Sequence, residues 1–247
     1  MITSNVINRI FHIKVGPSVA SAFTIDQDDK QYLITAKHVV ENVGPPYLIE
    51  IFLDQQWQTL PFSLTGLSQT SDVAVFAPPL QMTYPTFLPA CSDGVVYGQD
   101  VFFLGFPFGI TDTLPLPNSH LPLPLVKRAC LSALVPIPGG KTLFLLDGHN
   151  NPGFSGGIVV FSKQGEPFTS SFRILGVVSG YRFDSEPAFS GDQELPISVR
   201  TNTGIIYVPS IENAVALIDS NPNGIPITKR MPEMPASTQS ASTSSNG

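Results

Sequence analysis

Ser155 lies in "NNPGFSGG" (150–157), a stretch that surrounds one hydroxyl with three glycines and a proline. Gly153, Gly156 and Gly157 open backbone conformations that other residues avoid, and Pro152 fixes its own φ. A plain tight turn needs one or two such residues. A turn that must also aim a hydroxyl and two amides at a ligand has a use for all of them. A serine hydroxyl is a weak nucleophile until a base takes its proton, so this reading requires a histidine and a carboxylate to orient it. The histidines are His12, His38, His120 and His149. His120 lies in a proline-rich stretch, His12 falls inside a first strand, and His149 is too close to Ser155 in sequence to serve it across the turn. His38 is placed better: in "YLITAKHVV" an apolar strand meets a small-residue turn, and a strand end is a rigid place from which to project a base. The carboxylate candidate is Asp72 in "TSDVAVFAPP", at the mouth of another strand. His, Asp, Ser is one of the few chain orders in which such a triad recurs.

The elements that must position these groups read as short β segments. "RIFHIKV", "ASAFTID", "QYLITA", "YLIEIFL", "DVAVFAP", "DVFFLGF", "TLFLLDG", "GGIVVFS", "RILGVVSGY" and "GIIYVPS" are rich in Val, Ile, Phe and Leu, with Gly, Pro, Asn, Asp and Ser between them. Many strands at short intervals without intervening helices point to antiparallel barrels or sandwiches. The 247 residues can bury a sizeable core, and only 13 % are charged, which disfavours long surface helices. One helix is expected: Ser210 can cap "IENAVALIDS", where Ile211, Ala214, Val215 and Ile218 recur at helical spacing and Asn221-Pro222 ends the run. "TDTLPLPNSHLPLPL" (111–125) carries four prolines and reads as an extended loop. The C-terminal "TKRMPEMPASTQSASTSSNG" is too poor in apolar residues to order itself.

Composition narrows the partners. A net charge of −6 argues against a nucleic-acid footprint, and the basic pairs Lys127-Arg128 and Lys229-Arg230 are isolated. No stretch approaches the roughly 18 apolar residues of a membrane span. Cys91 and Cys130 are too few for a disulfide framework and read as reduced thiols. The opening "MITSNVINRIFHIKVG" has no long apolar run, so no signal peptide is expected and the chain reads as cytoplasmic. No internal repeat occurs, no motif calls for a cofactor or metal, and nothing selects an oligomeric state.

"TAKHVV", "SDVAVF" and "NPGFSGG" resemble the His, Asp and Ser blocks of chymotrypsin-like serine peptidases, most closely the protease domain of the HtrA branch. "GQDVFFLGFPFGI" (98–110) is similar to that branch's G-x-x-V-x-x-x-G-x-P-x-G strand, and the likeness covers roughly residues 8 to 220. It implies an all-β, chymotrypsin-like fold. Two antiparallel six-stranded β-barrels would occupy about residues 1–90 and 91–208, with a C-terminal helix over about 210–220. The peptidase domain would run over 1–225 and a disordered tail over 226–247. By position, Ser155 is implied as nucleophile, His38 as general base and Asp72 as its orienting carboxylate, with the amides of Gly153 and Ser155 as oxyanion hole. Ser179 is implied to support Asp72, and Val178, Ser179, Gly180 and Tyr181 to pair with the substrate backbone. His149 matches the position at the base or wall of the specificity pocket; no acid stands there, which disfavours Lys or Arg side chains in the substrate. The implied partner is a polypeptide.

The departures are specific. Trypsin-type zymogens place an Asp just before the catalytic serine, where this sequence has Phe154, so that activation switch cannot operate. No cysteine braces the His block, and the PDZ domain of HtrA enzymes is replaced by a polar tail. Two other uses of the same residues stay open: a protease fold serving as a binding or scaffold module, and acyl transfer to a non-peptide ester. The second would more often bring G-x-S-x-G on a strand-to-helix turn in an α/β pattern, which is absent.

Overall fold

Two curled antiparallel sheets make up most of the chain in the computed structural model, which describes residues 2–110, 122–167 and 172–228. After a single helical turn, α1 (Ser4–Ile7), the first sheet comprises β1 (Ile10–Val15), β2 (Ser18–Gln27), β3 (Lys30–Thr35), β4 (Tyr47–Leu53), β5 (Gln56–Leu67) and β6 (Ala74–Ala77), with α2 (Lys37–Val40) between β3 and β4. Its order β3-β2-β1-β4-β5-β6 closes on itself because β3 also pairs with β6, so six strands form a barrel. Ile13, Leu33, Ile51 and Phe76 are among the side chains that fill it.

The second sheet takes β7 (Asp100–Gly105), β8 (Leu125–Ile137), β9 (Lys141–Asp147), β10 (Ile158–Ser162), β11 (Phe172–Val177), β12 (Gly180–Ser190) and β13 (Gln193–Pro209), in the order β11-β10-β7-β8-β9-β13-β12. It holds seven strands where six were expected. The segment read as one strand, "RILGVVSGY", is two, because its hydrogen bonds change direction at Val178 and Ser179. β11 pairs with β10, the Val178 N–H turns to the Gly157 carbonyl, the Ser179 N–H turns to Tyr207, and β12 then pairs with β13. The outermost strands are thus consecutive in the chain, and the sheet curls round through that connection and a bridge between Gly176 and Ser210. Beyond the sheet body, β12 and β13 run on as a hairpin of mostly exposed residues.

A third cluster joins the two sheets: Phe23, Ile34 and Val75 from the first meet Leu104, Phe106, Ile158 and Ile174 from the second. Helix α3 (Glu212–Ser220) packs Ile211, Ala214 and Ile218 into the same cluster, as their spacing implied, while Val215 is only half-buried. Ser210 is not its cap. Ile211 takes that position without a side-chain bond, and the Ser210 N–H is committed to Thr142. The chain beyond α3 stays attached to the first barrel. Ile225–Pro226 pairs with β3, and the Thr228 N–H donates to Gln81 at 2.6 Å. The boundary expected at 225 therefore moves to at least 228, and the rest of the expected tail, like most of the proline-rich stretch and His120, lies outside the described residues. Cys91 and Cys130 are free thiols. Among the described residues no helix is long and apolar enough to cross a membrane.

His12 is the least conventional core residue. It is 4 % exposed on β1, stacked on Phe106 at 4.9 Å and edge-on to Trp57 at 4.8 Å, and neither ring nitrogen has a hydrogen-bond partner among the described residues. Burial disfavours the imidazolium and lowers its pKa to about 4 from 6.5. In the unfolded chain the ring takes a proton at the ordinary value, whereas the folded chain resists it. Its contribution to stability is therefore fully present above pH 6.5 and lost as pH falls to the folded value. Replacing His12 by Phe is expected to remove that dependence. Denaturant unfolding of parent and His12→Phe between pH 7 and 4 should show a differential loss approaching roughly 3 kcal/mol in the parent, and parallel profiles would refute it.

Candidate active site

The His38–Asp72 contact follows from strand register. β3 and β6 pair Leu33 with Phe76 and Thr35 with Ala74, so the chain leaving β3 and the chain entering β6 lie side by side. Ala36 is extended and α2 begins at the next residue, which turns His38 back over Asp72. The Asp72 carboxylate grips His38 twice: Oδ1 accepts the His38 backbone N–H at 2.8 Å, and Oδ2 lies 2.7 Å from Nδ1. An ionised carboxylate can only accept, so Nδ1 carries the proton and Nε2 presents its lone pair. Ser179 Oγ donates to the same Oδ2 at 2.6 Å.

These bonds set the titration of both groups. The hydrogen bond to Asp72 raises the His38 pKa above its ordinary 6.5, against the opposing effect of burial. For Asp72 burial pushes upward, but the hydrogen bonds from His38 and Ser179 outweigh it and hold the carboxyl below the usual carboxylate range.

Ser155 sits in a loop whose carbonyl oxygens are all occupied. His149 O accepts from Lys127 Nζ, Asn150 O from Asn202 Nδ2 at 2.8 Å, and Asn151 O from the Phe154 N–H at 3.2 Å. Pro152 O accepts from the Phe108 N–H at 2.9 Å, and Gly153 O from Ser21 Oγ at 2.8 Å. Phe154 O accepts from the Gly157 N–H at 2.8 Å, and Ser155 O from the Ser21 N–H at 2.9 Å. In a planar trans peptide the carbonyl and the following N–H point in opposite directions. Fixing the carbonyls of Pro152 and Phe154 therefore turns the N–H groups of Gly153 and Ser155 the other way. Among the described residues, neither of those amides donates to any group.

Two glycines make this loop possible. At Gly153 (φ 102°) a Cβ would come within 2.5 Å of the Phe106 carbonyl, and at Gly156 (φ 80°) within 2.1 Å of the Ser21 carbonyl. Phe154 is fully buried against Phe103 in the second sheet, their ring centroids 4.9 Å apart, so it anchors the loop. The Ser155 hydroxyl contacts the Ser179 carbonyl at 3.5 Å. Ser179 thereby touches both ends of the site, Asp72 through its hydroxyl and Ser155 through its carbonyl.

The residues expected to contact substrate separate into two groups. Gly180 and Tyr181 open β12, half-buried, and Ser179 lies just before them. Val178 differs from expectation. It is fully buried, and its N–H and C=O are bound by Gly157 and Gly156, so it supports the loop rather than presenting its backbone to a ligand. His149 is exposed, its carbonyl held by Lys127. Sequence reasoning assigned no role in the site to Ser21, Phe108, Lys127 and Asn202, which come from four different elements. Among the described residues no three His, Cys, Asp or Glu side chains converge to hold a metal ion.

Known proteins share this chain's family and fold. Residues 20–168 match the family described as trypsin-like peptidase domain. No curated protein sequence matches the chain. Among solved structures, the HtrA-type protease AlgW with a tripeptide is similar at 20 % identity and a TM-score of 0.57, over 88 % of this chain and 61 % of that one. This chain thus spans less than two thirds of that relative's length. The Rv3671c protease from M. tuberculosis is similar in its active form (16 % identity, TM-score 0.60, 92 % of this chain and 87 % of that one). Its inactive form is similar as well (16 %, 0.57, 88 % and 91 %).

The His38–Asp72 pair has a signed pH dependence. Because the folded pKa of His38 is raised, its contribution to stability, made while Asp72 is ionised, is complete below pH 6.5 and is lost as pH rises through the folded value. Nuclear magnetic resonance titration should place the His38 midpoint above 6.5 and show it falling in Asp72→Asn. A midpoint that does not respond to the substitution would refute the assignment of its cause.

Proposed function

We propose, for a chain that belongs to the trypsin-like peptidase family, that it is a serine endopeptidase acting on polypeptides through a Ser155–His38–Asp72 triad and an acyl-enzyme intermediate. One observation carries the reading: two N–H groups that have no partner among the described residues, at Gly153 and Ser155, flank a serine in a site whose imidazole is oriented by a half-buried carboxylate.

In the first step Ser155 Oγ attacks the carbonyl carbon of the scissile peptide while its proton passes to His38 Nε2. For this the hydroxyl must leave the Ser179 carbonyl and turn toward the imidazole. Asp72 stabilises the imidazolium and keeps its Nδ1 proton in place, without itself taking a proton. The carbonyl oxygen becomes an oxyanion, and the amides of Gly153 and Ser155 donate to it. Because they are already oriented, they need no reorganisation when the charge appears. Collapse breaks the C–N bond, the Nε2 proton leaves with the amine, and an ester on Ser155 remains. Water then attacks that ester with His38 again accepting a proton, and the acid and free enzyme are released. Ser179, Gly180 and Tyr181 would align the substrate as an added strand.

Ser155→Ala and His38→Ala are each expected to lower kcat on an unstructured protein substrate by roughly 10⁴- to 10⁶-fold, and the double variant to lose little more. A fluorophosphonate probe should label Ser155 in the parent and fail to label it in His38→Ala. Folded Ser155→Ala that still cleaves would overturn the mechanism. A folded parent that neither cleaves nor labels would favour a binding module instead.

A further inference from the structure

One charged donor among the described residues reaches the loop that carries Ser155. Lys127 lies on β8 opposite Phe103 of β7, and its side chain crosses to the nucleophile loop. Nζ donates to the His149 carbonyl and, at 3.2 Å, to Asn151 Oδ1. It also sits 5.8 Å from the Phe103 ring centroid and 5.9 Å from that of Phe154, capping an aromatic pair whose second member immediately precedes Ser155. No carboxylate pairs with it among the described residues, so its charge is balanced by a carbonyl, an amide oxygen and two π faces. Burial lowers its pKa from the ordinary 10.5. A half-buried ammonium that no described carboxylate balances is costly where a Met or Leu would fill the same space, so its position calls for a role in the loop it contacts.

We propose that Lys127 is a positioning residue for the oxyanion loop: by holding the His149 carbonyl, the Asn151 side chain and the Phe154 ring together, it keeps the amides of Gly153 and Ser155 facing the reacting carbonyl. The other side-chain donors to this loop, Ser21 and Asn202, are neutral and reach one carbonyl each. Lys127 alone spans three loop residues. This inference builds on the proposed peptidase mechanism, but the positioning itself is independent of catalysis.

Two measurements test it on the full chain. Lys127→Met keeps the aliphatic length and removes the donors, Lys127→Gln keeps a short neutral donor, and Lys127→Arg keeps donors and charge. Amide hydrogen exchange should rise about tenfold or more at Phe154, Gly156 and Gly157 in Lys127→Met, intermediate in Lys127→Gln, and stay near the parent in Lys127→Arg. In steady-state kinetics on an unstructured protein substrate, kcat should fall by about 10- to 100-fold in Lys127→Met with KM nearly unchanged and be largely restored in Lys127→Arg. The acidic limb of the pH profile, set by His38, should not move. Unchanged loop exchange in the Met and Gln variants overturns the proposal, as does a uniform rise across the whole chain that Arg does not reverse. If the exchange pattern appears as expected but the parent neither cleaves nor labels at Ser155, the positioning role stands and the proposed peptidase function falls.

Discussion

The site rests on the rigidity of the peptide plane. A peptide unit cannot turn its N–H without turning its C=O, so a protein that must present two bare amides to a ligand can fix them by binding the carbonyls behind them. This chain does so along seven consecutive residues, His149 to Ser155. The donors come from β2, the turn after β7, β8, β13 and the loop itself. An unpaired buried amide is ordinarily a defect worth about 1–3 kcal/mol. Gly153 and Ser155 are only partly buried, and the hydrogen bonds to the carbonyls behind them hold their open amides in place, which is how a binding site differs from a packing fault.

The second half of the site obeys a different logic. His38 and Asp72 meet because two strand ends of one barrel are in register, and the contact needs nothing from the second sheet except Ser179. Ser179 lies where the chain stops pairing with β10 and starts pairing with β13, and the break in the ladder leaves its hydroxyl and carbonyl free to face two different catalytic candidates. The irregularity that makes the second sheet seven-stranded is thus what brings Asp72 and Ser155 into one network.

Much of this was legible in the sequence for a physical reason. Ser155, His38 and Asp72 each sit in a segment whose local chemistry is unusual: a glycine-dense turn, a strand end followed by His, an acid at a strand mouth. The apolar strands were equally plain. β5 and β8 were not, because β5 alternates polar residues with a proline on its exposed face and β8 interleaves Lys127 and Arg128 with apolar positions. The roles of Ser21, Lys127 and Asn202 escaped notice because they lie in what these residues reach across the fold. Each is an ordinary residue in an ordinary strand. Val178 was misplaced for the opposite reason: the neighbouring positions follow the expected pattern, and only the three-dimensional course of the chain shows its backbone already spent on Gly156 and Gly157.

Ser21 belongs to the first barrel, yet its N–H and its hydroxyl both end on the nucleophile loop of the second sheet, and the same hydroxyl accepts the Phe106 N–H at 2.9 Å. The loop therefore reports on the alignment of the two halves. A displacement of the second sheet against the first barrel by about an ångström, too small to disturb either core, would break these bonds together with the Ser179–Asp72 bond, while the His38–Asp72 contact, built within the first barrel, would survive. On the proposed mechanism, competence is a property of the seam, since His38 and Asp72 lie in one half and Ser155 in the other.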